Sequence, residues 1–130
     1  MEIKILRPLS LTLSVSEIDD HLPSMKFEFH AESRQFSYTM MFVGNIWISC
    51  DSFDSFLKNL TEENNIAELK TIDEEIFIRM TKVDNHANFL WSMTRKNIDA
   101  SNVSSSFESK VSKDILDSIK ESFLQFPKWW

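Results

Sequence analysis

The single glycine of this chain restricts its possible folds more than any other feature. Gly44 is the only glycine among 130 residues, although an average usage of roughly 7% would supply about nine. Walker loops and dinucleotide-binding fingerprints need several glycines, because their backbone N–H groups must approach a phosphate closely. Neither motif can be written in this sequence, which argues against nucleotide-dependent enzymes of those two classes.

Apolar and polar residues alternate along much of the chain, which is typical of strands with one buried and one solvent-facing side. The alternation predicts early strands over 9–16, 25–32, 36–43 and 46–48. A turn is predicted over 16–23, and a bend or turn at Gly44-Asn45.

Alternation resumes in the second half of the chain. It predicts a strand over 67–71 and a hairpin of 75–83 with 87–95, joined by the turn Asp84-Asn85-His86. Phe77 and Leu90 add apolar surface to the second face, so we expect this hairpin to be central and partly covered on both sides. The polar segment 97–106 is compatible with a loop or with an irregular strand through Val103 and Phe107.

Two segments have helical periodicity instead. The first predicted helix has an apolar stripe at i, i+3, i+4 and i+7, formed by Phe53, Phe56, Leu57 and Leu60. Asp51 is its predicted N-cap, and Asp54 places negative charge near the helix N-terminus. The second predicted helix starts near Ser112 and stops at Pro127, with the stripe Ile115, Leu116, Ile119 and Phe123.

These elements predict an α+β fold in a single domain over residues 1–130. We expect a mostly antiparallel curved sheet of about six or seven strands, with a short middle helix and a C-terminal helix. Apolar residues make up 42% of the chain, which is enough for a core. The sequence shows no internal repeat, and it leaves open whether the sheet closes into a barrel.

No group of residues has the spacing of a catalytic or metal site. His21, His30 and His86 lie far apart, and none has a neighbouring cysteine or an i, i+4 histidine. Cys50, the only cysteine, is interpreted as a small buried hydrophobe. We therefore predict no enzyme activity, no catalytic residues, no cofactor and no bound metal.

The charge balance restricts the possible partners. The chain has 14 Lys+Arg against 20 Asp+Glu, a net charge of −6, which argues against binding to a phosphate backbone. Its longest uncharged stretch, Gln35 to Cys50, is shorter than a membrane span, and the N-terminus lacks the apolar segment of a signal peptide. We expect a cytoplasmic, monomeric protein that binds neither nucleic acid nor membrane.

Acidic residues crowd into a short segment around the end of the first helix. Six of them lie within it: Glu62, Glu63, Glu68, Asp73, Glu74 and Glu75. If the ends of these elements meet at one edge of the sheet, the six acids form one negative patch that steers a basic protein. Ordinary solubilising charge is the alternative interpretation.

Two adjacent tryptophans, Trp129 and Trp130, follow the second helix. Large apolar side chains near a terminus are normally held against the core, so we expect both to fold back onto it. Exposure as an anchor for a partner is the alternative, since tryptophan is enriched at interface hot spots.

The order of elements resembles the Wap-type immunity proteins of contact-dependent toxin systems, from about Phe27 to Phe126. The segments that carry the resemblance are Ile46-Trp47-Ile48, the helix over 51–60, Ala67-Glu68-Leu69, Ile76-Phe77-Ile78-Arg79-Met80 and Ile115-Leu116-Asp117-Ser118-Ile119. The family's hairpin turn often has Gly before His, where this chain has Asn85. The resemblance implies a non-enzymatic protein that binds the C-terminal domain of a cognate toxin, often a nuclease, and blocks it by occlusion. We expect that domain to be basic.

Two other functions remain open at this point. An acidic chaperone that holds a secreted effector in extended form fits the size, charge and α+β content. A small hydrolase or ligand-binding domain would need a deep cleft containing polar residues with shifted pKa values.

Overall fold

The alternating segments form eight strands, and the two periodic segments form helices. The computed structural model describes all 130 residues. In chain order the elements are β1 (Glu2–Ile5), β2 (Ser10–Asp19), β3 (Ser24–Arg34), β4 (Thr39–Ser49), α1 (Cys50–Thr61), β5 (Ile66–Lys70), β6 (Ile76–Val83), β7 (His86–Lys96), β8 (Asn102–Val111) and α2 (Lys113–Leu124). The fold is therefore α+β, as predicted, and both helices are confirmed.

The strands form two antiparallel sheets of four strands, in the orders β1-β2-β3-β4 and β5-β6-β7-β8. The expectation of one sheet with six or seven strands was thus only partly correct. β1 alternates over only four residues, and the serine-rich β8 proved to be a regular strand of ten residues. Because α1 follows β4 directly, the chain leaves the first sheet before β5 begins a second one.

The two halves of the chain repeat the same order of elements. Each half consists of a four-stranded meander followed by a helix of 12 residues. Each helix also packs against the first strand of the other half, since α1 contacts β5 and α2 contacts β1. The sequence shows no repeat, because the halves share an alternation pattern and not residue identities.

One hydrophobic core of 27 buried residues joins the two sheets and both helices. Between the sheets, the ring of Phe29 on β3 lies 5.4 Å from that of Trp91 on β7. Between the two helices, the ring of Phe123 on α2 lies 4.9 Å from that of Phe56 on α1. Burial of apolar side chains such as these is the dominant favourable contribution to folding.

A serine is the N-cap of each helix. Ser49 is the last residue of β4, and Ser112 directly follows β8. The Oγ of Ser49 accepts a hydrogen bond from the backbone N–H of Ser52, at 3.1 Å, so Ser49 is the N-cap of α1 and the prediction of Asp51 was wrong. Asp51 lies in the first turn, where its charge still suits the helix dipole. Ser112 caps α2 through Ile115, at the predicted start.

The turn expected at residues 16–23 is shorter than predicted. β2 continues to Asp19. An irregularity in its pairing register with β3, between Val15 and Glu17, shifts the alternation of inward-facing and outward-facing residues by one position without ending the strand. The Oδ1 of Asp19 then accepts a hydrogen bond from the backbone N–H of His21, at 2.9 Å. This side chain closes the turn without glycine.

The hairpin of β6 and β7 is confirmed, with Val83 paired to His86. Its turn places Asp84 in the left-handed region, at φ 50°. The aspartate, and not the neighbouring Asn85, therefore supplies the conformation that glycine often provides in such a turn.

Gly44 lies within a continuous strand, so the predicted turn at Gly44-Asn45 was wrong. Gly44 pairs with Phe29 across β3 and β4, and a Cβ atom at this position would stand 3.0 Å from Cε1 of Phe29. The ring of Phe29 thus occupies the space that a side chain would need. Glycine at this position avoids crowding the ring and does not form a turn.

The segment after α2 folds back onto α1, as expected for the two tryptophans. Trp130 packs edge-on against Phe53, with 5.7 Å between ring centroids. Its Nε1 donates a hydrogen bond to Oδ2 of Asp54 at 2.9 Å, and Lys128 forms an ion pair with the same carboxylate at 2.5 Å. Both tryptophans are partly buried against the core.

We predict that Gly44→Ala lowers the free energy of unfolding by about 1–3 kcal/mol, because the new methyl group overpacks the ring of Phe29. Phe29 is 3% exposed and held against Trp91, so it cannot move aside easily. Denaturation by urea measures the change, and Asn45→Ala at the neighbouring exposed position is the control. Removing the ring with Phe29→Leu should make the additional effect of Gly44→Ala smaller. Equal stability of Gly44→Ala and the parent would contradict this assignment.

We also predict that the contact between Asp54 and the tail weakens in acid. Partial burial opposes ionisation, but the hydrogen bonds from Lys128 and Trp130 outweigh it and lower the pKa of Asp54. A lowered folded pKa means that the contribution is complete above the unfolded value, about 3.9, and is lost as pH falls through the folded value. Because the carboxylate is 40% exposed, the contribution is at most about 1 kcal/mol. Acid titration of tryptophan fluorescence measures it, and Asp54→Asn should lack this transition.

Candidate partner-binding surface

One of the four edge strands differs from the others in its charge. The edges of the two sheets are β1, β4, β5 and β8. Three of them carry charged residues of both signs: Glu2 and Lys4 on β1, Glu68 and Lys70 on β5, and Glu108 and Lys110 on β8. Charged side chains on an edge oppose pairing with a further strand. β4 has no charged residue in its 11 positions.

Part of the β4 edge is already covered. The backbone N–H of Ile72, in the segment between β5 and β6, donates a hydrogen bond to the carbonyl of Trp47 at 2.8 Å. This contact lies near the end of β4, where α1 follows. Over residues 39–45 the only neighbouring strand is β3, so the other edge of this part is open.

The open part of β4 exposes apolar side chains. Met41 is 52% exposed and Val43 is 70% exposed, whereas Met40 and Phe42 point the other way and pack against the core. Met41 and Val43 therefore stand on the outer face of the first sheet, next to its edge.

The loop between β3 and β4 extends this surface. A hydrogen bond from the backbone N–H of Gln35 to the carbonyl of Tyr38, at 2.9 Å, closes the loop. Phe36 at its tip is fully exposed and Tyr38 is 53% exposed. We call the four residues Phe36, Tyr38, Met41 and Val43 the β4 edge surface. Aromatic residues and methionine are enriched at protein interfaces.

Charged residues on β3 border the β4 edge surface. Glu32 is engaged by His30, at 3.5 Å, and by Arg34. Glu28 belongs to none of the ion pairs of this face and lines an open depression of about 270 Å³, together with His30 and Val43. The surface thus has an apolar part beside a polar border that includes an unpaired carboxylate.

The structure does not bring the six predicted acids together in one patch. Glu62 and Glu63 lie at the end of α1, just before β5, whereas Asp73, Glu74 and Glu75 lie between β5 and β6. The five residues of β5 separate the two groups, which corresponds to about 16 Å at roughly 3.3 Å per residue. The two groups therefore lie at opposite ends of the edge strand β5.

Cations of the same chain neutralise three of the six acids. Glu63 pairs with Lys82 and Lys120, each at 3.4 Å, and Lys82 and Lys120 lower the pKa of Glu63. Glu75 pairs with Arg95 at 3.0 Å.

Glu68 is the third neutralised acid. It pairs with Arg79 at 2.6 Å and with Lys70 at 3.1 Å. Burial would raise the pKa of Glu68, but the hydrogen bonds from these two cations lower it.

The other three acids have no cationic partner. Asp73 accepts a hydrogen bond from the backbone N–H of Glu75 at 3.1 Å, and Glu62 accepts one from the side chain of Asn64 at 3.3 Å. Glu74 has a left-handed backbone, at φ 59°. The negative charge available to a partner is therefore divided between two small groups.

The remaining candidate residues are dispersed. Cys50 is 2% exposed, and burial raises the pKa of its thiol, which lowers its reactivity. The structure contains no group of three His, Cys, Asp or Glu side chains able to hold a metal ion. An open cleft of about 360 Å³ between the β6–β7 turn and α2 is lined by charges of both signs, including Glu63 with its ion pair to Lys82.

Comparison of the chain with models of known protein families, with curated proteins and with solved structures gives no match. Neither of its helices has the length and apolar character needed to cross a membrane.

Sequence reasoning missed the β4 edge surface, although a signal for it was present. The stretch from Gln35 to Cys50 is the longest without charge. An uncharged stretch of this length that alternates as a strand is a sign of an unprotected edge. The interpretation of Gly44-Asn45 as a turn divided the strand in two and hid its length.

Proposed function

We propose that this protein is an immunity protein that binds a cognate bacterial toxin domain and neutralises it by stoichiometric occlusion. The observation that carries the proposal is the β4 edge surface, an exposed apolar and aromatic area with a polar border on a small protein. Such areas are typical of protein-binding sites. The resemblance to the Wap-type immunity proteins supports the same function.

The charge of the chain suits this role. A net charge of −6 favours association with a basic protein, and a nuclease must be basic where it binds phosphates. Occlusion requires only that the inhibitor covers the active site or the path of the substrate. It needs no catalytic residue, cofactor or metal in the inhibitor. We propose a cytoplasmic monomer that acts at a ratio of one to one.

One observation also favours the second candidate, a chaperone of a secreted effector. An open strand edge suits the binding of an extended segment of an effector as well as that of a folded toxin. The two functions differ in what they recognise. An immunity protein inhibits the folded toxin, whereas a chaperone binds the effector before it folds.

Co-expression with the C-terminal domain encoded by the neighbouring upstream gene tests the proposal. We expect that domain to be toxic alone and harmless together with this protein, and calorimetry to give a 1:1 complex with the folded domain at nanomolar affinity. A toxin inactivated by mutation serves as the partner for calorimetry. No toxicity and no binding would refute the immunity function. Binding only to the unfolded domain would support the chaperone instead.

We predict that the two acidic groups act independently on the association rate. The distance between them exceeds the Debye length, about 8 Å at physiological salt, so their effects on the logarithm of the rate should add. Charge reversal of Glu62, of Asp73 with Glu74, and of all three is compared by stopped-flow mixing at several salt concentrations. Glu108→Lys on β8 is a control for the overall change in charge. Unchanged association kinetics in all variants would exclude both groups from steering.

A further inference from the structure

We propose that the open part of β4 receives a strand of the partner, so that the complex contains a fifth strand in the first sheet. This inference rests on the proposed function, because the partner that supplies the strand is the toxin domain. Three features of the structure indicate such a strand: the open backbone of residues 39–45, the side chains beside it, and the unpaired carboxylate of Glu28.

The backbone determines the kind of occupant. Along residues 39–45 the strand hydrogen-bonds on one side to β3, and the groups that point the other way have no neighbouring strand. Backbone N–H and C=O groups covered by a partner must be paired, because an unpaired buried group is unfavourable. An extended strand is the one regular structure that can pair a whole row of them.

The absence of charge makes β4 the suitable edge. An added strand would meet charged side chains on β1, β5 and β8, but none on β4. The other end of β4 is closed by the hydrogen bond between Ile72 and Trp47. The site therefore holds about seven residues of a strand, or roughly 23 Å at 3.3 Å per residue.

The neighbouring side chains define the chemistry of the added strand. Residues of the partner opposite Met41 and Val43 would share their face and complete the burial of these exposed side chains, so they should be apolar or aromatic. On the same face, Glu28 pairs in register with Asn45 and stands one strand further from the edge. A lysine or arginine of the partner strand can reach across Asn45 to this unpaired carboxylate.

The unpaired carboxylate of Glu28 distinguishes a partner strand from a second copy of this chain. A β4 strand from a second copy would supply apolar residues, but it carries no cation to pair with Glu28. An apolar strand with a basic residue on one face satisfies both the edge and the carboxylate. Such a strand also agrees with the expected basic character of the toxin.

Lysine substitutions on the edge test the proposal. Met41→Lys with Val43→Lys should weaken binding of the toxin domain about 100-fold, because two charges at the centre of the added pairing would have to be buried. The matched control is Ser104→Lys with Ser106→Lys, which adds the same charge to exposed positions of the β8 edge. We expect the control to bind like the parent. Far-UV circular dichroism establishes that each variant folds.

A separate substitution tests the carboxylate of Glu28 and leaves the side chains on the β4 edge unchanged. Glu28→Gln should weaken binding about tenfold by removing a charged pair, whereas Glu108→Gln, which removes an equal charge from an exposed position of β8, should have little effect. Equal effects of the two variants would show that only the overall charge matters and would overturn the assignment of Glu28.

Hydrogen exchange provides a direct observation of the pairing. Outward-facing amides within residues 39–45 should exchange at least tenfold more slowly in the complex than in the free protein. A tight complex without this protection would overturn the strand proposal and leave the immunity function intact. No complex with the parent protein would overturn the function, and with it this inference. Protection that appears in the free protein with rising concentration, and is lost in the Met41/Val43 variant, would identify a second copy as the occupant and overturn the choice of partner.

Discussion

The contact of Phe29 with Trp91 is the interaction on which the arrangement of the two sheets depends. It joins the centre of one sheet to the centre of the other, and Gly44 leaves room for the ring of Phe29 beside β4. A chain with a single glycine thus places it where two large aromatic residues meet. Turns at Asp19 and Asp84 are built with aspartate instead, through a side-chain hydrogen bond in one case and a left-handed backbone in the other.

The helices hold the two halves together in a reciprocal manner. Because α1 packs against β5 and α2 against β1, the first strand of each half is covered by the helix of the other. Neither meander can bury its inner face alone, and the aromatic residues of both helices meet in the shared core. We expect the halves to unfold together, since separation would expose the apolar faces of both.

The sequence predicted local structure well and the relation between distant elements poorly. Period-two and helical patterns located both helices and the β6–β7 hairpin, because these signals arise within a few residues. Ser49 was missed as the N-cap because Asp51, two residues later, has an equally suitable side chain. The split of the predicted acids between two ends of β5 was not visible, since it depends on the course of the chain after α1. The β4 edge surface was missed because exposure of Met41 and Val43 is decided by which strands lie at an edge, a property of sheet order and not of local pattern.

The uncharged edge of β4 also has a consequence for the free protein. A long extended segment without lysine, glutamate or proline is a template on which identical segments can stack, as in cross-β fibrils. The features that would receive a foreign strand therefore make the free chain prone to self-assembly when its concentration rises or its sheets loosen. At high expression, rapid folding and turnover would accordingly limit the population from which such aggregates grow.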